Sequence, residues 1–298
     1  MSEIKINGGV VVYDLMGPQG GDTIVLTPGD RFGKDHPSVR PLAEALAASG
    51  IRVLVWDRPN CGASDIQLFG ETESQMRAST LAGMVDALEL GPLHVMGSSG
   101  GARDSIVFTI EYPHLVKSLA VWSLAGGTYS TMTQAIGFAL NDIRTVREMG
   151  MDGILSMAGP VSSWAELLDA NVRNKERLQA IGSDRFERVL RRWFDAYVPK
   201  ANEAIPGIPD WQFAGIKVPT LVIGNGRGDI DHPIRTSYVV HCLIRGSRLV
   251  EPPYPMDTGE ARRGTRVLGD GNVTDPQIEA VPLLLDFIIA AGDVAAGQ

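Results

Sequence analysis

The chain has 298 residues, of which 44% are apolar and 21% charged, a balance typical of a soluble globular protein with a large core. A formal net charge of −8 provides no basic excess to neutralise phosphates, which argues against nucleic acid as a partner. The two cysteines cannot build a disulfide framework, residues 1–5 hold no apolar leader, and no apolar run is long enough for a bilayer. We therefore expect a cytoplasmic protein with a small-molecule partner and no membrane contact; a homo-oligomer is compatible with the sequence.

Strands and helices alternate through the first 126 residues. A β-branched run at 9–13 predicts an opening strand or hairpin. Continuously apolar runs predict strands at 23–26, 51–56, 93–96 and 116–122, and helical periodicity predicts helices at 38–49, 74–90 and 102–111. Strands that are apolar throughout are typical of a parallel sheet covered on both faces. In such sheets, the loops at the carboxyl ends of the strands carry the site.

The pattern changes after residue 126. Amphipathic segments at 134–149, 163–180 and 183–197 predict helices, and no convincing strand occurs before residue 214. Beyond it the sequence predicts a strand at 218–224, a helix at 234–244, a strand at 248–250 and a helix at 276–291. These patterns predict an α/β core made of residues 1–126 and 215–298, with a helical cap subdomain at 127–214 inserted between two strands.

Residues 97–101 read Gly-Ser-Ser-Gly-Gly and lie between a predicted strand and a predicted helix. A strand that turns directly into a helix crowds its flanks, and glycine at 97 and 101 relieves that crowding. The middle residue, Ser99, is then held in a strained turn with its hydroxyl exposed. The first N–H groups of the helix point at the same place and favour developing negative charge. Alone, this common motif is equally compatible with a glycine-rich bend without chemistry.

Four further motifs stand in order around this turn. Residues 28–30 read Pro-Gly-Asp, residues 57–64 read Asp-Arg-Pro-Asn-Cys-Gly-Ala-Ser, and residues 112–113 read Tyr-Pro. Residues 219–224 read Pro-Thr-Leu-Val-Ile-Gly and lead to an acidic loop. With these motifs the chain resembles the α/β-hydrolase family over nearly its whole length. Asn60 replaces a glycine of the family pattern, which fits because asparagine tolerates a positive φ.

The resemblance implies an α/β-hydrolase fold, with a mostly parallel sheet, helices on both faces and a helical cap insertion. It also implies Ser99 as the nucleophile and the backbone N–H groups of Gly100 and Asp30 as oxyanion donors. In the acidic loop, Asp229 matches the residue that orients the base, and we favour it over Asp231. No cofactor and no metal are implied.

The resemblance is incomplete at the base. The family places its histidine after the last strand, where this chain has Asp257, and no histidine follows His241. Two histidines near the predicted site are candidates, His36 in the loop after the oxyanion strand and His232 in the acidic loop. Asp257 is a third, either as a carboxylate base or by sharing a proton with Asp229. Each of the three also has an ordinary structural interpretation, and the sequence leaves the choice open.

We therefore expect an enzyme that acts on a small, partly apolar carbonyl compound, by ester or carbon–carbon bond hydrolysis, with an atypical triad. Two alternatives stay open while the base is unassigned: a cofactor-independent lyase or isomerase, and a non-catalytic small-ligand-binding protein on the same fold. Arg103 follows the predicted nucleophile closely and either holds a substrate carboxylate or forms a local ion pair. Cap side chains select the substrate, so the sequence does not name it.

Overall fold

The computed structural model describes residues 1–156, 164–225, 229–254 and 276–296. The strands in this part are β1 Ser2–Ile6, β2 Gly9–Met16, β3 Thr23–Thr27, β4 Arg52–Trp56, β5 Leu93–Ser98, β6 Val116–Trp122, β7 Thr220–Ile223 and β8 Arg248–Val250. They form one sheet in the order β1-β2-β4-β3-β5-β6-β7-β8. β2 runs antiparallel to both of its neighbours, whereas all pairs from β4 to β8 are parallel. The predicted, mostly parallel sheet is confirmed.

The described helices alternate with these strands except in the middle of the chain. They are α1 Arg40–Ala48, α2 Glu73–Ala87, α3 Gly100–Glu111, α4 Gly127–Ala135, α5 Asn141–Ser156, α6 Ala165–Ala170, α7 Arg173–Ile181, α8 Ser183–Tyr197, α9 Ile234–Leu243 and α10 Val281–Ala296. A π-helical turn, Ile136–Leu140, joins α4 to α5. Within the described ranges, no helix has the length and apolar content needed to cross a bilayer.

Both faces of the sheet are buried. Along β3, Val25 packs on the side of α2 and α3, whereas Ile24 and Leu26 pack on the side of α1 and α10. Successive side chains of a strand point to opposite faces, so a strand covered on both sides is apolar at every position. Each aliphatic side chain removed from water in this way contributes about 1.5–3 kcal/mol. This rigid sheet fixes the loops at its carboxyl edge.

Turn chemistry explains two of the element boundaries. Asn7 and Gly8 both have positive φ, at 52° and 80°, and form the two-residue loop that closes the β1–β2 hairpin. Thr72 caps α2, since its side chain accepts the N–H of Gln75 while the Gln75 side chain accepts the N–H of Thr72. Asn60 has φ 67°, which confirms the prediction that it replaces glycine at a left-handed position.

The helical segment between β6 and β7 is more broken than its periodicity predicted. The single helix expected over 134–149 is instead parts of α4, the π turn and α5, with Gly150 at φ 67° interrupting α5. The helix expected over 163–180 is divided at Asn171, whose backbone is extended. Periodicity alone did not reveal these breaks, because the segments on either side of them are themselves helical and continue the apolar pattern. The assignment of 127–214 as a separate cap subdomain stays a prediction.

Buried polar contacts fasten these helices to the loop after β4. Asn174 of α7 is fully buried, and its Oδ1 accepts the Ile66 N–H at 2.8 Å. Its Nδ2 donates to the carbonyl oxygens of Ser64 at 3.1 Å and Leu167 at 3.2 Å. One side chain therefore satisfies three backbone groups that water cannot reach, and it links the core to the helices above it.

Asn174→Ala is expected to lower the free energy of unfolding by about 3 kcal/mol, because two carbonyls and one N–H lose their partner inside the protein. Urea denaturation followed by circular dichroism measures the change. Gln179→Ala removes an exposed amide from the same helix and should change stability by less than about 0.5 kcal/mol. Equal losses in the two variants would contradict the role given to Asn174.

Candidate active site

The site is built around the turn that joins β5 to α3. Ser99 has φ 55° and ψ −122°, the strained conformation predicted for the middle of this turn. A Cβ on Gly97 would lie 2.3 Å from the carbonyl oxygen of Gly101, and one on Gly101 would lie 2.2 Å from that of Thr27. Both glycines are therefore required by close backbone contact. The Ser99 hydroxyl is left pointing into a cavity at the carboxyl edge of the sheet.

Three side chains form a continuous hydrogen-bonded chain at this edge. Ser99 Oγ lies 2.9 Å from His232 Nε2, and His232 Nδ1 lies 2.9 Å from Asp229 Oδ2. The carboxylate requires the proton on Nδ1, so Nε2 is the nitrogen available to accept the Ser99 hydroxyl proton. Asn225 donates from Nδ2 to the carbonyl oxygen of His232 at 2.7 Å, which anchors the loop that carries the imidazole.

Hydrogen bonds from its own loop favour the ionised form of Asp229. Burial raises the pKa of this carboxyl, but hydrogen bonds from the His232 ring and from backbone N–H groups outweigh burial and leave it lowered. Its Oδ1 accepts the N–H groups of Asp231 and His232, both at 3.0 Å. Of the two neighbouring aspartates, Asp229 is the one hydrogen-bonded to the imidazole, and Asp231 lines the cavity beside it.

The other base candidates have different positions. His36 Nδ1 lies 2.7 Å from Ser38 Oγ, and its ring stacks on Phe32 with centroids 3.6 Å apart. The imidazole that reaches Ser99 is that of His232, so the interpretation of His36 as the base does not fit this geometry. Asp257 lies outside the described residues.

The two predicted oxyanion donors lie beside each other. A Cβ built on Gly100 would be 3.4 Å from the backbone nitrogen of Asp30. A Cβ on Gly29 would be 2.9 Å from Ser99 Cβ, so only glycine lets the loop after β3 approach the turn so closely. Asp30 has φ 45°, a left-handed conformation that costs energy for a residue with a side chain.

A cavity of about 170 Å³ opens above Ser99, between the sheet edge and the helical segment. The π turn places Phe138 in its wall, and the end of α8 contributes Tyr197. The remaining lining residues, besides Ser99, are Asp30, Arg31, Glu73, Arg77, Gly100, Arg103, Thr133, Gln134, Asp231 and His232. Among the described residues, no group of three or more His, Cys, Asp or Glu side chains is arranged to hold a metal ion.

Arg103 has an unusual place in this wall. It is 91% buried, yet none of the ion pairs among the described residues includes it; Asp104 pairs with Arg58 at 2.8 Å and with Arg77 at 3.4 Å. The Arg103 guanidinium donates instead to neutral oxygens, those of Ser74 and Tyr197. Burial raises the pKa of Tyr197, so this phenol is protonated at neutral pH. No carboxylate among the described residues lies within ion-pair distance of Arg103, whose charge acts on Glu73 only at longer range.

Sequence reasoning missed the groups that surround the predicted site. Arg58, Phe138 and Tyr197 come from three distant segments, and helical periodicity places the last two only within predicted helices. The sole available signal was the position of Arg58 inside the 57–64 motif. Side-chain convergence of this kind depends on tertiary packing, which the spacing of residues along the chain does not encode.

Glu73, at the start of α2, is buried against two cationic groups. Its Oε1 lies 3.2 Å from Arg31 Nη1 and 3.0 Å from Arg77 Nη2. Asn60 Nδ2 donates to the same oxygen at 3.2 Å. Burial alone raises the pKa of this carboxyl, but Arg31 and Arg77 lower it to about 2. Glu73 is therefore ionised at neutral pH and compensates two guanidinium groups in the cavity wall.

Glu73→Gln is expected to cost about 3 kcal/mol of stability at pH 7, because the folded pKa lies below the unfolded value of about 4.3. A depressed carboxyl pKa stabilises the fold above pH 4.3 and loses that contribution as pH falls to about 2. Urea denaturation of both proteins at several pH values measures the difference, which should shrink below pH 4. A difference independent of pH would contradict the assigned ionisation.

Comparisons with known proteins agree with this architecture. No family model matches the chain. It is similar to a 2-hydroxy-6-oxononadienedioate/2-hydroxy-6-oxononatrienedioate hydrolase from Escherichia coli, 33% identical over 241 residues, 78% of this chain and 79% of the relative. A protein of the same description from Burkholderia vietnamiensis is 28% identical over 190 residues, 62% of this chain and 63% of the relative.

Solved structures share the fold at lower identity. The enol-lactonase from Burkholderia xenovorans LB400 has a TM-score of 0.58 and 19% identity, covering 97% of this chain and 100% of that one. A meta-cleavage product hydrolase from Pseudomonas fluorescens IP01 has a TM-score of 0.54 and 20% identity, covering 90% and 96%. From the extent of its likeness to the Escherichia coli enzyme and from its fold, the chain belongs to the α/β-hydrolase family and is a hydrolase of that type.

Proposed function

We propose that this hydrolase cleaves an ester or a carbon–carbon bond next to a carbonyl group, with Ser99 as nucleophile, His232 as base and Asp229 as the acid that orients the base. The observation that carries the proposal is the hydrogen-bonded chain from Ser99 through His232 to Asp229, with both distances at 2.9 Å. A serine hydroxyl is a weak nucleophile at neutral pH, and a base in hydrogen-bond reach with an oriented ring supplies the activation it needs.

The steps follow from these positions. Ser99 Oγ attacks the carbonyl carbon while His232 Nε2 takes the hydroxyl proton, and the ionised Asp229 stabilises the imidazolium. The N–H groups of Gly100 and Asp30 receive the charge that develops on the carbonyl oxygen. His232 then returns the proton to the departing oxygen or carbon, and a water molecule activated by the same imidazole releases the acyl group from Ser99.

The substrate class is argued from the cavity and the relatives together. The relatives are named for hydrolysis of a dienedioate, a dicarboxylate. In this chain, the buried guanidinium of Arg103 lines the same cavity as Ser99 and forms no ion pair among the described residues. An arginine presents a planar pair of donors that matches a carboxylate. We therefore assign to Arg103 the binding of a carboxylate carried by the substrate.

The alternatives of a lyase, an isomerase or a binding protein arose from the lack of an assigned base. His232 offers that base at hydrogen-bond distance from Ser99, so no observation now favours them over hydrolysis. The atypical feature lies in the origin of the base, which comes from the loop of the acid and follows β7.

The first test is covalent labelling of Ser99 by a fluorophosphonate, together with hydrolysis of p-nitrophenyl esters. Ser99→Ala should abolish labelling, and His232→Gln should slow it by at least about 10³-fold. Asp229→Asn should slow it by about 10⁴-fold, because the imidazole loses its oriented tautomer. Labelling reactions quenched at successive times, with the labelled peptide quantified by mass spectrometry, give these rates.

Asp231→Asn is the matched control, since this carboxylate lies in the same loop without a hydrogen bond to the imidazole. Its labelling rate should change less than about tenfold, as expected for one rim charge. A larger loss in Asp231→Asn than in Asp229→Asn would reverse the assignment of the acid. Full labelling of His232→Gln would remove the proposed base.

The second test concerns Arg103. For mono-p-nitrophenyl glutarate, which carries a carboxylate, Arg103→Gln should lower kcat/KM by about 10–100-fold, the value of one charge-assisted hydrogen bond. For neutral p-nitrophenyl butyrate, the same variant should change kcat/KM less than about threefold. Steady-state kinetics with both esters measure the two effects.

Arg191→Gln removes an exposed positive charge from α8 and controls for long-range attraction of the anion. It should leave the ratio of the two esters unchanged, because exposed charges at this distance are screened by salt. An equal loss for both esters in Arg103→Gln would assign Arg103 a structural role and contradict carboxylate binding.

A further inference from the structure

We infer that Arg58 is a positioning residue that aims the backbone N–H of Asp30 at the oxyanion and links that donor to the nucleophile turn. The inference rests on the proposed function for its catalytic meaning. Arg58 is fully buried and does not itself line the cavity above Ser99; its guanidinium reaches the backbone carbonyls of Gly29 and Asp30.

The contacts of Arg58 are all to fixed groups. Its Nη2 donates to two successive carbonyl oxygens, that of Gly29 at 2.9 Å and that of Asp30 at 2.7 Å. Its Nη1 donates to Asp104 Oδ2 at 2.8 Å, and Asp104 lies one turn into α3, the helix that begins directly after Ser99. The guanidinium thus joins the loop after β3 to the helix after the nucleophile.

Peptide geometry turns this anchoring into an orientation. The carbonyl of Gly29 and the N–H of Asp30 belong to one planar trans peptide, in which the two groups point in opposite directions. Fixing the Gly29 carbonyl on Arg58 therefore also fixes the direction of the Asp30 N–H, whose nitrogen lies 3.4 Å from a Cβ built on Gly100. A donor on the carbonyl also polarises the peptide and strengthens its N–H as a donor.

Arg58 also compensates the strain at this position. Asp30 holds φ 45°, which brings its own carbonyl round to the same guanidinium nitrogen as that of Gly29. The Phe32 N–H donates to the Gly29 carbonyl at 3.2 Å and closes the turn, but that bond leaves the Asp30 carbonyl to Arg58. Without the guanidinium, the loop keeps its turn and loses the contact that favours the left-handed Asp30.

The test compares Arg58→Gln and Arg58→Lys on an ester and on its thionoester, p-nitrophenyl acetate and O-p-nitrophenyl thionoacetate. Sulfur is a larger and weaker hydrogen-bond acceptor, so a working oxyanion site favours the oxygen ester, and its loss lowers the oxygen-to-sulfur ratio. We expect Arg58→Gln to lower kcat for the oxygen ester by about 10²-fold, with KM changed less than threefold, and to lower the ratio at least tenfold. Arg58→Lys, whose ammonium is a single point-like donor group, should give an oxygen-to-sulfur ratio between those of the wild type and Arg58→Gln.

Arg77→Gln is the matched control, because Arg77 is also buried and also pairs with Asp104, while its described backbone acceptor is Pro59. It should leave the oxygen-to-sulfur ratio at the wild-type value. A ratio that stays unchanged in Arg58→Gln, or falls equally in Arg77→Gln, would overturn the positioning role.

Amide hydrogen exchange of the peptide covering residues 27–32 gives a readout independent of turnover. In Arg58→Gln, exchange at this loop should rise at least tenfold while α3 keeps its protection; unchanged exchange at the loop would overturn the inference. A wild-type protein that neither hydrolyses the ester nor reacts with a fluorophosphonate would instead refute the proposed function. Hydrogen exchange would then still test whether Arg58 anchors the loop after β3.

Discussion

The site depends on how closely three backbone segments meet at the turn between β5 and α3. A side chain at Gly97 would collide with the backbone of Gly101, and a side chain at Gly101 would collide with the end of β3. Gly29 in turn lies directly against Ser99. The strained backbone of Ser99 persists because the parallel sheet, buried on both faces, holds β3, β5 and β6 in place around it. Without that rigid edge, the loop after β3 would not reach the nucleophile.

Local chain geometry simplifies the rest of the candidate triad. Asp229 and His232 are three residues apart, and the carboxylate that holds the imidazole also accepts the backbone N–H groups of its own loop. Acid and base are therefore oriented together by one turn, and tertiary folding needs only to bring this turn to Ser99. In the proposed triad, the base follows β7, whereas the family resemblance implies a base after the last strand.

Burial of charge gives the cavity its chemical character. Glu73 and Asp104 compensate Arg31, Arg58 and Arg77, because an unpaired charge away from water is costly. These pairs hold the walls that face Ser99. Arg103 is different in that its hydrogen-bond partners within the described residues are neutral oxygens, and no carboxylate of that part of the chain pairs with it directly.

The sequence by itself determined the order of the strands along the chain and the turn at 97–101, and it predicted Asp30, Gly100 and the acidic loop as candidate site positions. These are encoded locally, by continuous apolar runs and by glycines that close contacts require. The candidate for the base and the form of the cavity were decided by tertiary structure. Whether His36, His232 or Asp257 faces Ser99 depends on how the loop after β7 is brought beside that after β5, a distance of 133 residues in sequence and 2.9 Å in space. The convergence of Arg58, Arg103 and Tyr197 has the same origin, since burial and pairing of charges are properties of the packed chain.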